Sequence, residues 1–66
     1  MPREWLIARR KQMGLTQQGL VDKVVTKHHV TRQHISAIER NESGPSPKLA
    51  KVLGEEMGFP WVKFYE

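Results

Sequence analysis

Three observations on this 66-residue chain predict an all-α fold. Apolar residues recur at steps of three and four, no stretch alternates apolar and polar residues long enough for a strand, and Gly or Pro marks the junctions. Leu6, Arg10 and Met13 share one face of a first helix. Pro2 suits its first turn, and Gly14 can close it in the left-handed conformation. Thr16 predicts the N-cap of a second helix carrying Leu20, Val21, Val24 and Val25 on one side. Gly19 stands where a capping box needs Glu or Gln, and it weakens that start by about 1 kcal/mol relative to Ala. Thr31 predicts the cap of a third helix, with Ile35 and Ile38 inward and Asn41 suited to a left-handed end. Ser46-Pro47 pairs an N-cap with Pro at the first helical position. The fourth helix turns Leu49, Val52, Leu53 and Met57 inward and stops at Gly58. A short turn from Pro60 to Tyr65 then offers Trp61, Phe64 and Tyr65 to the core.

The length fits one small domain over residues 1–66. A chain of this size buries only about 60% of the surface that unfolding exposes, so its stability rests on a tight core or on a partner. Cysteine is absent, which excludes disulfides and thiolate metal sites. Hydrophobic residues at 38% and charged ones at 27% are the mix of a globular domain. No apolar run approaches the roughly 20 residues of a membrane span, and residues 1–20 lack a signal-peptide stretch. A cytoplasmic protein is expected.

Net charge is +4, and it is unevenly distributed. Residues 1–41 carry 8 basic and 3 acidic side chains, whereas residues 42–66 carry 3 basic and 4 acidic ones. A polyanionic partner for the first two-thirds fits this asymmetry, and charge alone equally fits a basic protein that is merely soluble.

Two charges are out of place. Arg10 lies on the face defined by Leu6 and Met13, and Glu39 follows Ile35 and Ile38 on the inward face of the third helix. A lone charge against a core is costly, so one solution is that the guanidinium grips the carboxylate and joins the two helices. The other is that both side chains snorkel to solvent. The opposite face of the third helix shows Arg32, Gln33, Ser36 and Arg40, with Ala37 beside them. Arg and Gln near a helix N-terminus can each bond two atoms of one base, Arg on guanine and Gln on adenine. Taken alone, the same face also fits an ordinary solvated surface.

Gly14-Leu15-Thr16-Gln17, Leu20, Val30-Thr31, Ile35-Ser36, Ile38-Glu39-Arg40-Asn41, Pro45-Ser46, Leu49-Ala50 and Gly58, with the ending Phe59-Pro60-Trp61 and Phe64-Tyr65-Glu66, run in order along nearly the whole chain. Together these segments resemble the phage-repressor/Cro-like helix-turn-helix family, also called the xenobiotic-response-element family of transcriptional regulators. The resemblance implies a compact, lambda-repressor-like bundle of four to five helices with a helix-turn-helix over about residues 16–41. It implies double-stranded DNA as partner, a bacterial or phage origin, and a homodimer that represses from a palindromic operator. Arg32, Gln33, Ser36 and Ala37 fall at its base-reading positions. Gln17, His34, Arg40 and Asn41 fall near phosphate, and Arg10 with Glu39 matches a structural ion pair of the family. The terminal aromatics Trp61, Phe64 and Tyr65 are the candidate dimer contact.

Val25-Thr26-Lys27-His28-His29 occupies a place where the family has about one residue. An extra 3.6-residue turn would lengthen the second helix and carry His28 onto the side of Leu20 and Val24. A looser basic loop would instead bring Lys27, His28 or His29 toward phosphate. The longer helix followed by a longer turn is the expectation. The three histidines have no Cys and only Asp22 near them, which argues against a metal site. No nucleophile–base pair or Gly-rich phosphate loop is present, so neither an enzyme nor a cofactor is expected. An antitoxin-like protein-interaction module using the same fold is the alternative function, and an architectural or RNA-binding helical protein is a third.

Overall fold

The computed structural model describes all 66 residues. In chain order it contains α1 (Glu4–Gln12), α2 (Gln17–Val24), α3 (Arg32–Glu39), α4 (Pro47–Met57) and a 3-10 helix, Trp61–Tyr65. There are no strands.

Side-chain caps start three of the helices. The hydroxyls of Thr16, Thr31 and Ser46 accept from the backbone N–H groups of Gly19, His34 and Leu49 at 3.0, 3.1 and 3.2 Å. Asn41 takes a positive φ of 62° after α3, and Gly58 does the same at 75° after α4. Helix α1 starts differently. Arg3 is its N-cap and makes no side-chain cap bond, so Pro2 lies ahead of the helix rather than in its first turn.

Helix α2 stops at Val24, so the expected extension toward His28 does not form. The N–H groups of Lys27 and His28 both turn back onto the Val24 carbonyl, at 2.9 and 3.0 Å, which closes one last turn instead of propagating the helix. The β-branched run Val24-Val25-Thr26 favours helix weakly, and buried Val30 draws the chain inward just beyond it. Val25 is exposed and His28 only half-buried, so neither continues the inner face.

One core serves all the elements. Leu6 of α1, Leu20 and Val24 of α2, Ile35 and Ile38 of α3, and Leu49, Leu53 and Met57 of α4 are essentially fully buried. Each such side chain contributes about 1.5–3 kcal/mol relative to exposure. Val52 is only half-buried, whereas Ala50 and Gly54 are buried. Gly54 allows close approach: a Cβ there would stand 2.7 Å from the Phe59 carbonyl oxygen, so α4 and the 3-10 helix meet at backbone distance. Trp5, Phe59 and Phe64 seal this end as a triangle of edge-on rings, with centroids 5.1–5.5 Å apart. Phe64 is 8% exposed and Tyr65 57%, so Phe64 closes the core while Tyr65 faces out.

Candidate nucleic-acid interface

The third helix is held from two sides. On its inward face, Arg10 Nε donates to Glu39 Oε2 at 2.6 Å and Arg10 Nη2 donates to Oε1 at 3.2 Å. Both residues are buried, at 9% and 3% exposure, so water does little to screen the pair. Arg10 Nη1 also donates to the Leu15 carbonyl at 2.9 Å, and Gln17 Nε2 donates to Glu39 Oε1 at 3.1 Å. No buried polar side-chain atom is left without a partner. The pair therefore ties α1, the α1–α2 turn, α2 and α3 together through one carboxylate.

Arg3, a residue the sequence patterns did not single out, holds the C-terminal end of α3. Its N–H donates to the Glu39 carbonyl at 2.7 Å, and Nη1 donates to the carbonyls of Ile38 and Ser43 at 2.7 and 3.0 Å. Ile38 and Glu39 belong to the last turn of α3, whose carbonyls lack intrahelical partners, and Ser43 lies in the turn just beyond it. The only available signal was a basic residue near the start of the chain, and nothing in the sequence shows which carbonyls it meets.

With its inner face and its end fixed, α3 presents the other side to solvent. Arg32, Gln33 and Arg40 are exposed, and Ser36 is half-buried between them. Together with Gln17 from the start of α2 they line a shallow polar cleft of about 160 Å³ that contains no hydrophobic side chain. Ala37 does not line it, and its carbonyl receives the N–H groups of Glu42 and Ser43 at 2.9 and 3.3 Å. His34 is half-buried on the flank of α3, and Asn41 is exposed at its left-handed end.

Arg40 is not free. Its Nε and Nη2 donate to the two carboxylate oxygens of Glu42 at 2.9 and 3.1 Å, and its Nη1 bonds the Ser36 hydroxyl. The hydrogen bonds and charge of Glu42 raise the Arg40 guanidinium above its ordinary pKa, and Arg40 likewise holds the Glu42 carboxyl below the usual carboxylate range.

No residue of the 25–29 turn lines the cleft. Lys27 Nζ lies 3.0 Å from Glu56 and 3.9 Å from Glu55, both on α4, and the Glu56 hydrogen bond raises the lysine pKa. The Nδ1 of His28 lies 2.8 Å from the His29 carbonyl. A basic loop with Lys27 free for phosphate is therefore not what forms. No group of three or more His, Asp or Glu side chains converges as a metal-holding cluster, and no helix is long and apolar enough to cross a membrane.

Two capped helices joined by a turn, the second braced beneath and polar above, define a helix-turn-helix protein of the DNA-binding class. A family model described as Helix-turn-helix matches residues 6–64. The chain is also similar to an uncharacterized HTH-type transcriptional regulator, YqaF, of Bacillus subtilis (strain 168). The two are 33% identical over 66 residues, a span that covers all of this chain and 82% of that protein. No solved structure is significantly similar. The chain belongs to the Cro/C1-type helix-turn-helix family of DNA-binding regulators, which are not enzymes.

Proposed function

We propose that this protein is a sequence-specific repressor that binds a palindromic operator as a homodimer in the cytoplasm. Each protomer lays α3 in the major groove, with half-sites about 34 Å apart, one turn of duplex. Arg32 and Gln33 read base edges, helped by Ser36 and by the small surface of Ala37. Gln17, His34, Arg40 and Asn41 approach phosphate and fix the docking register. Exposed Tyr65 and half-buried Trp61 supply the dimer contact, whereas Phe64, expected beside them, is buried in the core and is not available to a second copy. A second copy is needed on physical grounds, because one small module makes too few contacts for tight specific binding.

One observation carries this reading: Gln17, Arg32, Gln33, Ser36 and Arg40 share a single solvent-facing cleft over α3. Selection from random duplexes followed by sequencing tests it. The expected result is a twofold-symmetric consensus with half-site centres about 10 base pairs apart. Enrichment without any consensus would refute specificity, and a single unrepeated half-site would refute the dimer.

A further inference from the structure

One of the residues lining the cleft, Arg40, already holds an anion from outside the lining. Glu42 sits two residues beyond Arg40, past the left-handed Asn41, and that reversal brings its carboxylate level with the guanidinium. Both carboxylate oxygens are used, in the side-by-side geometry that an arginine offers to carboxylate or phosphate alike. The remaining arm of the fork bonds Ser36, so Ser36, Arg40 and Glu42 form one chain whose first two members line the cleft. Two of the five residues lining it are thereby engaged within the molecule.

Stabilising the fold is a poor account of this pair. Arg40 and Glu42 are 54% and 60% exposed at the side chain, and ion pairs so open to water contribute little to folding. A weak, exposed, two-point contact is one that a competing anion of like geometry can displace. We infer that Glu42 occupies the phosphate seat of Arg40, so that a DNA phosphate must displace it and the protein's affinity for all duplexes is held down. This rests on the DNA-binding reading above. On docking, Arg40 exchanges one anion for another and Ser36 is released into the cleft. The net gain from the phosphate contact is therefore smaller than that of an unpaired arginine. The freed Glu42 carboxylate then stands beside the phosphate backbone, which lowers the gain further.

The test is a four-protein comparison of wild type, Glu42→Gln, Arg40→Ala and the double variant. Binding is measured by fluorescence anisotropy on a random-sequence duplex of about 20 base pairs, two helical turns. Glu42→Gln should tighten binding about threefold or more at low salt, and should steepen the dependence of log K on log salt by up to about one contact. In the Arg40→Ala background the same change should have less than half that effect, because only the loss of one negative charge remains. Equal or weaker binding by Glu42→Gln would overturn the inference, since Glu42 would then be neutral or would position Arg40 for its contact. An equal gain with and without Arg40 would also overturn it, as a bulk-charge effect. A wild-type chain that retains no duplex even at low salt would overturn both this inference and the DNA-binding reading, whereas retention with an unchanged Glu42→Gln would sink the inference alone.

Discussion

Gln17, on the wall of the cleft, donates to the same Glu39 oxygen that Arg10 Nη2 grips from the core side. The buried joint and the surface proposed to meet DNA therefore share one carboxylate. Disturbing either side should be felt on the other.

Arg10→Met is the direct disturbance. It leaves the Glu39 carboxylate buried with Gln17 as its remaining side-chain partner, and losing one member of a buried pair costs about 3–5 kcal/mol. A domain of this size has little stability to spare, so urea unfolding should show a chain largely unfolded at room temperature. Replacing both residues, as Arg10→Met with Glu39→Leu, should recover most of the loss, because apolar substitution of a whole buried pair is often neutral or better. A double variant no more stable than the single one would show that the pair is needed for more than mutual neutralisation.

Gln17 separates brace from contact. Gln17→Ala removes one hydrogen bond to Glu39 and should cost about 1 kcal/mol in urea unfolding. Gln17→Glu should cost more, since it sets a second carboxylate against Glu39 Oε1 with no donor between them. If Gln17→Glu were the more stable of the two, the Gln17–Glu39 bond would not be what holds this corner of α2.

Local chemistry made most of the fold legible. Thr16, Thr31 and Ser46 announce helix starts because a cap acts within three residues, and Asn41 and Gly58 mark ends for the same reason. Arg10 and Glu39 stand out as charges on apolar faces, and in the structure they lie 2.6 Å apart. What stayed hidden depends on tertiary partners. Arg3 meets carbonyls 35 and 40 residues away, and no pattern encodes such a bond. The 25–29 turn has no Gly or Pro to end α2, so Val24 had no visible stop. Nor does the polar face of α3 reveal that Glu42 already grips Arg40, because that contact forms only once Asn41 reverses the chain.

Gly54 was hidden for a similar reason, and it yields a prediction. In a helix an isolated glycine looks like a weakness, yet here a methyl group would collide with the Phe59 carbonyl and crowd the Trp61 N–H, 3.2 Å away. Gly54→Ala gains helix propensity but must push the 3-10 helix outward, and overpacking of this kind costs about 1–3 kcal/mol. The melting temperature should fall and the near-ultraviolet dichroism of Trp61 should weaken. A higher melting temperature would mean that the two segments are not in backbone contact.

Acidification should free Arg40 late. Because Arg40 lowers the Glu42 pKa in the folded chain, the pair contributes fully above the ordinary carboxylate value of 4.5 and is lost as pH falls through the lowered one. The Nε–H resonance of Arg40, followed by NMR, should stay constant from pH 8 to 5 and move only below that range. Movement near pH 6 would point to a histidine rather than Glu42 as the controlling group.

Arg32 and Arg40 should fail in different ways, and the contrast tests how the cleft divides its work. Arg32 opens α3 directly after the Thr31 cap, where a side chain can reach into a groove and make two bonds to one guanine. Arg32→Ala should therefore cost about 1–3 kcal/mol on the selected operator, and the preference for one base pair in each half-site should relax. Arg40 lies a full two turns later, at the end of α3, where the backbone of a bound duplex would pass. Arg40→Ala should weaken operator and random duplex by the same factor and reduce the salt slope by up to about one. That reduction should be smaller than for a free arginine, because Glu42 already holds the guanidinium in the unbound protein. Titrations of both variants on operator and scrambled duplex at several salt concentrations would decide. Identical losses on both duplexes for both variants would mean that Arg32 reads no base, and specificity would then have to come from Gln33 or from the shape of the DNA.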